Sequence, residues 1–425
     1  MIACTLDSHS PPKYPKGWPA LLGGGLVNIA FGTYYMWSVF VPALEHEFGW
    51  SRPQTSLVST IDMVMLASMF TVAGMFQNRL GVRTVATIGG MLFSLGMLLA
   101  SFVHSLPMLY LTSGLMVGTG LGFGFLAPIT VGSKWFPNHR GLVNGFAIAV
   151  FGAGSGIFGP FAGLLIERVG WRETFQILAG IFLVLTMTGA YLLKDPPPGY
   201  VGPPGKATGK GRPRPSSRDV PTSRVLRDPV FIALWIAHAL GTTAGTMVIS
   251  QLVPFARLSG LNARTAAFAI TVGAIGSASG RLFSGWMSDH FGRLPALRTV
   301  IAISMMVTPM LYLWRGDVLV FYPLLCAVYY CYGTQISVYA SLVGDFWGLK
   351  YMPTNYGVLL LAWGCAGVGG PYIGSHVFQS TGSYRDAFFG AAGLACVALI
   401  ILALVRIPQT SPIAPDAVGA QATRL

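Results

Sequence analysis

The sequence predicts an all-α integral membrane protein of twelve membrane-spanning helices arranged as two six-helix pseudo-repeats. Hydrophobic residues make up 53% of the 425 positions, charged residues only 10%, and the mean hydropathy is +0.61. A soluble domain needs roughly 25% charged residues to cover its surface, so lipid must cover most of this chain. The chain also contains twelve apolar stretches of about 20 residues, the length that crosses a ~30 Å hydrocarbon core as a helix.

The twelve stretches are divided into two groups of six by a segment of different composition. Residues 194–228 are rich in Pro, Gly and Ser and include eight basic residues, so we expect a flexible linker there. The predicted spans are 18–43, 54–77, 84–103, 107–132, 141–166, 174–193, 229–252, 265–287, 295–314, 318–343, 355–379 and 386–406. The predicted units are a tail at 1–17, a six-helix domain at 18–193, the linker, a second six-helix domain at 229–406 and a tail at 407–425.

The basic excess of the chain predicts its orientation in the membrane. With both termini in the cytoplasm, the inner loops and tails contain 19 of the 27 Lys and Arg residues, and the outer loops contain seven. This asymmetry follows the positive-inside rule. The net charge of +13 therefore reflects topology, and we expect no nucleic-acid partner. We therefore expect a multi-pass protein of the inner membrane.

Three landmarks recur in the second half of the chain at nearly the same offset. A glycine-rich loop follows span two and recurs after span eight, 211 residues later. A Gly-Pro-x-x-Gly motif in span five recurs in span eleven at the same offset, and an aromatic-Arg-acid turn recurs 213 residues later. The residues concerned are Gly74 and Gly285, Gly159 and Gly370, and Trp171 and Tyr384. A parallel duplication of six helices explains all three landmarks.

The recurring loops resemble the cytoplasmic signature of the major facilitator superfamily. The first reads Gly-Met-Phe-Gln-Asn-Arg-Leu-Gly-Val-Arg from residue 74, and the second reads Gly-Trp-Met-Ser-Asp-His-Phe-Gly-Arg from residue 285. Glycines allow close helix approach and a tight turn, and the acid caps a helix end or pairs across the domain interface. The resemblance implies the major facilitator fold and a role in conformational gating for Asn78, Arg79, Arg83, Asp289 and Arg293.

Other segments resemble one branch of that superfamily, the oxalate:formate antiporters and the monocarboxylate (lactate/pyruvate) transporters. They are Gly-Thr-Tyr-Tyr-Met-Trp-Ser at 32–38, Trp-Phe-Pro-Asn-His-Arg-Gly at 135–141 and Asn-Tyr-Gly at 355–357. The resemblance covers nearly the whole chain apart from the linker and tails. It implies a carrier of small carboxylates. Within this branch, the chain most resembles a bacterial proton-coupled monocarboxylate transporter.

Arg281 is the only formal charge in the apolar segment 265–287. A guanidinium stays protonated at physiological pH, so inside a membrane it needs an anionic or polar partner. The simpler alternative is that its long side chain extends to the cytoplasmic surface. The small residues Gly273, Ser277 and Ser284 share its helix face, which favours an orientation into the bundle. In the resembling branch, an arginine at this place binds the substrate carboxylate.

Trp363 limits the range of substrates that we expect the chain to carry. The oxalate carrier has a lysine in span eleven shortly after Asn-Tyr-Gly, where this chain has Trp363. A dicarboxylate would then leave one charge unpaired in a cavity of low dielectric constant. The chain is therefore expected to carry a monocarboxylate, with Tyr332, Trp363 and Tyr34 completing the binding site. For the two tyrosines, simple packing among neighbouring aromatic residues is the alternative.

The sequence offers two candidates for the residue that carries the proton, and it does not decide between them. Asp62 is the only acid well inside a span, and the alternative is that it hydrogen-bonds neighbouring backbone near the outer mouth. His238 in span seven titrates near neutral pH when unperturbed, and the alternative is a histidine satisfied within the core.

The expected function is secondary active transport of a lactate- or pyruvate-like monocarboxylate by proton symport with alternating access. An organic anion exchanger of the oxalate:formate kind, without proton coupling, is the alternative. An enzyme is disfavoured, since the sequence shows no paired intramembrane acids, no metal-ligand cluster and no nucleophile beside a base. We expect no cofactor or metal, a monocarboxylate and a proton as partners in the lipid bilayer, and a functional monomer.

Overall fold

The structure is a computed structural model that describes residues 17–197, 200, 219–258, 260 and 263–405. Its long helices correspond to the predicted spans, so we number them α1 to α12. α1 comprises Trp18–Phe31 and Trp37–Phe48, joined by the 3₁₀ segment Gly32–Met36. The others are α2 Arg52–Leu80, α3 Val82–Ala100, α4 Leu106–Trp135, α5 Arg140–Val169, α6 Trp171–Leu192, α7 Pro229–Ser250, α8 Ala263–Phe291, α9 Arg293–Leu313, α10 Val318–Trp347, α11 Met352–Thr381 and α12 Arg385–Leu404.

Ten of these helices are long and apolar enough to cross a membrane. The other two are α1, which the 3₁₀ segment divides, and α8, which includes Arg281 and several serines. The predicted architecture of twelve long helices in the described part of the chain is confirmed. Most helices extend a few residues beyond the predicted spans, because helical hydrogen bonding continues into the polar ends that hydropathy excludes.

Two helices depart from regular α geometry. α1 changes to 3₁₀ at Gly32–Met36, where Gly32 lies so close to the backbone of Phe151 that a Cβ would overlap it. α4 contains a π segment, Tyr110–Met116. Such segments loosen the regular hydrogen-bond ladder and are frequent at functional sites.

The two signature loops adopt the tight turns that their glycines predict. Gly81 between α2 and α3 has a φ of 84°, and Gly292 between α8 and α9 has a φ of 96°. Only glycine adopts this region readily, so both turns depend on it. The same turn recurs at equivalent places in the two repeats. We call the end of the bundle with these two turns the linker side, and the opposite end the far side.

Most contacts between the two six-helix halves lie along three helix pairs, α2 with α11, α5 with α8 and α5 with α10. Glycines bring the backbones together: a Cβ at Gly74 would lie 2.5 Å from the backbone oxygen of Pro353, and a Cβ at Gly141 would overlap the backbone of Gly285. This close approach is the one expected for the signature glycines. It places the linker-side halves of these helices in direct contact.

The last ten residues of the predicted linker are packed against the second half, so the expectation of flexible chain is wrong for residues 219–228. The amide of Val220 donates to the backbone oxygen of Trp347 (3.0 Å), and Asn355 donates to the backbone oxygen of Val220 (3.2 Å). Asp228 caps α7 and accepts a hydrogen bond from the indole of Trp347. Composition missed this because polar residues can be ordered by hydrogen bonds to another segment. The rest of the linker (apart from 194–197 and Tyr200), nearly all of the N-terminal tail and the C-terminal tail lie outside the described residues.

Candidate functional site

Arg281 lies in α8 at the interface between the two halves. Its side chain is only 4% exposed, and Ser277 and Ser284 on the same face are also buried. Phe268 and Ile275 on the opposite face are 54% and 60% exposed. The predicted inward orientation of Arg281 is therefore confirmed, and extension to the membrane surface is excluded in this structure.

The guanidinium of Arg281 contacts α5 of the first half. Its Nη1 donates to the backbone oxygen of Ile148 (3.1 Å), whereas Nε is buried and has no hydrogen-bond partner. Gly152, one turn further along α5, leaves the space that the guanidinium occupies, since a Cβ there would overlap Nη1. Within the described part of the chain, no carboxylate lies within salt-bridge distance of Arg281.

Side chains of α8 and α10 fix the position of Arg281. The hydroxyl of Ser284, one turn from the arginine, forms 2.7 Å hydrogen bonds with Tyr330 and Thr334 of α10. Thr334 also donates to the backbone oxygen of Gly280 (3.3 Å). These bonds hold α8 against α10 on both sides of Arg281.

A small cavity lies beside the guanidinium. Its volume is about 10 Å³. That is room for about one water molecule, so a carboxylate fits only if the halves move apart. The cavity is lined by Leu66, Phe70, Phe125, Ile148, Phe151, Arg281, Ile336, Leu360 and Trp363. It presents one cation within an otherwise apolar wall.

The structure brings Trp363 and Tyr332 together near this cavity. Trp363 lines the cavity and donates from its indole nitrogen to the hydroxyl of Tyr332 (3.0 Å). Tyr332 packs against Gly245 of α7. The hydrogen bond orients the indole ring, which forms part of the apolar wall of the cavity.

Tyr34 and Asp62 lie at a second cavity, within the first half. This cavity has a volume of about 40 Å³ and is lined by both residues together with Ser113. The hydroxyl of Tyr34 donates to Sδ of Met63 (3.5 Å), and Asp62 is 6% exposed with Oδ1 lacking a hydrogen-bond partner. The expected alternative for Asp62, a hydrogen bond to neighbouring backbone, is not present at this oxygen. Tyr34 is thus placed with Asp62 and not at the cavity of Arg281.

His238 is enclosed within the second half. Its Nδ1 lies 3.3 Å from the hydroxyl of Thr242, its ring packs 4.3 Å from that of Tyr339, and its Nε2 has no hydrogen-bond partner. It lines neither of the two cavities described above. This position gives it no direct contact with Arg281 or Asp62.

On the linker side, Asp289 joins the two halves, and Arg293 pairs with it. The carboxylate of Asp289 accepts hydrogen bonds from the amides of Gly141 and Leu142 at the start of α5, both 3.0 Å long. Arg293 forms ion pairs with Asp289 (2.6 Å) and Asp345 (2.8 Å), which belong to its own half, so it supports the connection without making it. A carboxylate is favourable at a helix N-terminus, so Asp289 is the signature residue that holds α5 of the other half.

Arg140 completes this cluster and was not predicted as a site residue. Its guanidinium pairs with Asp345 across the interface (2.7 Å) and is 3% exposed. Nearby, Asn144 donates to the hydroxyl of Ser341 (3.1 Å). The motif that contains Arg140 is visible in the sequence, but its partner lies 205 residues away. The sequence feature that could have indicated this ion pair is the acid Asp345, at the end of α10.

The first signature loop makes a different set of contacts. Asn78 donates to the hydroxyl of Thr354 in α11 (2.9 Å), so it also spans the two halves. Arg83 donates to the backbone oxygen of Tyr191 (2.6 Å) and therefore contacts its own half. Arg79 is exposed and lines a linker-side groove. The two copies of the signature are therefore not equivalent in their contacts.

The residues that sequence reasoning missed are those defined by close packing. Gly152 and the backbone of Ile148 form the first-half part of the guanidinium site, and Ser113 lines the second cavity together with Asp62. A glycine or serine in an apolar helix is common, so neither stands out in the sequence. The π segment that contains Ser113 is not visible in hydropathy at all.

Sequence comparison gives the relatives of this chain. A family model of the Major Facilitator Superfamily matches residues 24–368. The uncharacterized MFS-type transporter YhjX of Escherichia coli is 32% identical over 84% of this chain and 88% of its own length. The oxalate:formate antiporter of Oxalobacter formigenes is 25% identical over 90% of each chain, and human monocarboxylate transporter 11 is 28% identical over 92% of this chain and 83% of its own.

Structural comparison agrees on the fold. The proton:xylose symporter XylE aligns with a TM-score of 0.68 at 12% identity, covering 91% of this chain and 94% of its own. The transporter FucP in the outward conformation aligns with a TM-score of 0.68 at 16% identity, covering 91% and 98%. Together with the match over most of the sequence, these results show that the chain belongs to the major facilitator superfamily.

Proposed function

We propose that this chain is a secondary active transporter that carries a small monocarboxylate, similar to lactate or pyruvate, together with a proton. The observation that carries the proposal is the state of Arg281, which is buried at the interface between the halves with no carboxylate within reach among the described residues. A buried cation without an anionic partner is costly. A substrate carboxylate that binds and leaves provides the missing charge.

The surroundings of Arg281 support a substrate with one carboxylate. Within the described lining of its cavity, Arg281 is the one charged residue, and the wall opposite is aromatic and aliphatic. Trp363 occupies this wall. A second carboxylate would be desolvated there without a cation, which is unfavourable.

The contacts between the halves support alternating access. The hydrogen bonds and ion pairs that join the halves lie at the level of Arg281 or on its linker side, at Asp289, Asp345 and Asn78. We place the linker side in the cytoplasm because of the basic excess in its loops. In this orientation, these contacts close the carrier toward the cytoplasm. We propose that it acts as a monomer in the inner membrane.

The alternative is an anion exchanger without proton coupling. It is favoured by one relative, whose name, oxalate:formate antiporter, describes exchange. Relatives named monocarboxylate transporters support the first function. The two functions differ in whether an inward proton gradient drives uptake into vesicles that contain no substrate.

The deciding experiment measures uptake of labelled lactate, pyruvate, formate and oxalate into proteoliposomes, with and without a proton gradient. The Arg281→Lys variant keeps the charge but loses the planar fork that binds a carboxylate with two hydrogen bonds, so we expect about tenfold weaker transport or more. Arg298→Lys is the matched control, because Arg298 donates to the end of α12, away from the cavity. Unchanged transport in Arg281→Lys would refute the proposed site, and uptake that requires internal substrate would favour the exchanger.

A further inference from the structure

The two irregular helical segments of the first half meet at the same cavity. Thr33, Tyr34 and Met36 line it from the 3₁₀ segment of α1, and Ser113 lines it from the π segment of α4. Each segment alone is a common packing irregularity. Their convergence on a buried carboxyl group indicates that the fold arranges polar atoms here for a ligand.

Two buried oxygen atoms in this cavity have no hydrogen-bond partner. They are Oδ1 of Asp62, in a side chain 6% exposed, and Oγ of Ser113, in a side chain 5% exposed. A buried polar atom without a partner destabilises the fold, so such atoms are rare unless something else satisfies them. Both residues line the same cavity of about 40 Å³, which exceeds the space that one water molecule needs.

The composition of the cavity limits what this ligand is. Metal cations take several oxygen ligands. Here Asp62 provides the one carboxylate among the described lining residues, beside the hydroxyl groups of Thr33, Tyr34 and Ser113. The other lining residues are Met36, Trp37, Phe40, Phe93, Met97, Val117 and Phe175. One carboxylate in a largely apolar wall would leave the charge of a divalent metal ion uncompensated, whereas a single proton neutralises the carboxylate.

We propose that Asp62 and Ser113 form a proton-binding site, in which the protonated carboxyl group of Asp62 is joined to the hydroxyl of Ser113 through one water molecule. A hydronium ion transfers its proton to the carboxylate and leaves as water, and release reverses this step. The inference rests on the proposed proton-coupled function and assigns its proton to the first half. Arg281, in the second half, is left to bind the carboxylate.

The position of Asp62 on α2 provides the connection between the two sites. Leu66, one turn after Asp62, lines the cavity of Arg281, about 6 Å along the helix axis. α2 also packs directly on α11, where a Cβ at Gly364 would overlap Ala67. A change in the hydrogen bonding of Asp62 therefore acts on the helix that forms one wall of the substrate cavity and one contact between the halves.

Few other titratable side chains line the cavity of Asp62. Among the described residues that line its cavity, Tyr34 on α1 is the one other titratable group. The helices α3, α4 and α6 contribute apolar side chains and Ser113, and α11 contributes no lining residue. Protonation of the site is thus expected to depend on Asp62 itself.

Two measurements test the inference. In proteoliposomes, Asp62→Asn is expected to lower the number of protons that enter per substrate molecule by at least about tenfold. Accumulation of substrate driven by a proton gradient should fall to the same extent, while exchange of internal for external substrate continues. Infrared difference spectra of the purified protein between low and high pH are expected to contain a carboxyl carbonyl band that Asp62→Asn removes and Ser113→Ala shifts. Asp386→Asn and Ser68→Ala are the controls, because both residues are exposed.

The outcomes separate this inference from the proposed function. If the wild type moves no monocarboxylate, the proposed function fails, and the infrared spectra still decide whether Asp62 binds a proton. Proton-coupled accumulation by Asp62→Asn at the wild-type level, or spectra with no band assigned to Asp62, would overturn the inference. Equal loss of exchange and accumulation in Asp62→Asn, together with an unchanged infrared spectrum, would show a merely structural role.

Discussion

Nη1 of Arg281 donates a 3.1 Å hydrogen bond to the backbone oxygen of Ile148, so the buried cation of the second half is held by the first half. Separation of α5 from α8 breaks this bond and leaves the guanidinium without its partner. A substrate carboxylate then replaces the carbonyl oxygen with a charged acceptor, which forms a stronger hydrogen bond. Substrate binding and the movement of the halves are therefore coupled at one side chain.

Gly152→Ala is expected to weaken transport because the new Cβ would overlap Nη1 of Arg281. The overlapping atoms are the end of a flexible side chain, so the guanidinium can shift away from the new methyl group. We expect this displacement from its site to lower transport about tenfold. Initial rates of monocarboxylate uptake measure the effect. Gly156→Ala is the matched control on the same helix, since no atom lies within 4 Å of a Cβ there. Equal rates for both variants would contradict the geometry described for the guanidinium.

Trp363→Lys is expected to shift the preference of the carrier toward dicarboxylates. The indole lies in the wall of the cavity of Arg281, so a lysine there adds a second cation for a second carboxylate. We expect the ratio of oxalate to lactate uptake to rise about tenfold. Trp363→Phe, which keeps an aromatic wall and loses the hydrogen bond to Tyr332, is the control. A ratio that rises equally in both variants would show that space and not charge selects the substrate.

Asp345→Asn is expected to favour states that are open on the linker side. The carboxylate of Asp345 pairs with Arg140 of the first half (2.7 Å) and Arg293 of the second (2.8 Å), so its loss leaves Arg140 unpaired at the interface. A tenfold change in the ratio of closed to open states corresponds to about 1.4 kcal/mol, which is within the cost of a broken buried ion pair.

Spin-label distances between cysteines introduced at Thr84 and His290 measure this ratio, after the native cysteines are replaced. The control is Asp195→Asn, which breaks the ion pair with Lys134 (2.7 Å) inside the first half. A distance distribution that changes in the control as much as in Asp345→Asn would argue against a specific role of the interface pair.

Glu47 gives a prediction about pH. Its slight burial raises the pKa of the carboxyl group, but hydrogen bonds from Trp171 and Arg172 and the charges of Arg172 and His104 lower it more, so the pKa lies below the ordinary 4.5. A carboxyl group with a lowered folded-state pKa adds stability above its unfolded pKa and loses it as the pH falls through the folded pKa.

Glu47→Gln is therefore expected to lower the Tm of the detergent-purified protein at pH 7. The difference from wild type should shrink below pH 4.5. Because the side chain is 42% exposed, the loss is about 1 kcal/mol or less. Glu167→Gln, at an exposed position at the end of α5, is the control. A Tm difference that stays constant from pH 7 to below this range would show that charge is not its origin.

Much of the architecture could be predicted from the sequence because membrane helices obey local rules. Each span is readable from hydropathy over about 20 residues. Gly81 and Gly292 were readable as turns because glycine is the residue that adopts positive φ easily. The inward orientation of Arg281 followed from the small residues on its helix face. The break at Gly32–Met36 was not readable, since a 3₁₀ turn keeps the same apolar composition.

The sequence by itself determined the number of helices, their duplication and the helix face on which Arg281 lies. Only the tertiary structure decided that Ile148 and Gly152 receive the guanidinium, that Trp363 shares its cavity, and that Tyr34 lies with Asp62 instead. The physical reason is the range of the interactions. Hydropathy and periodicity are properties of one helix in lipid, whereas these partners depend on how separate helices cross and pack.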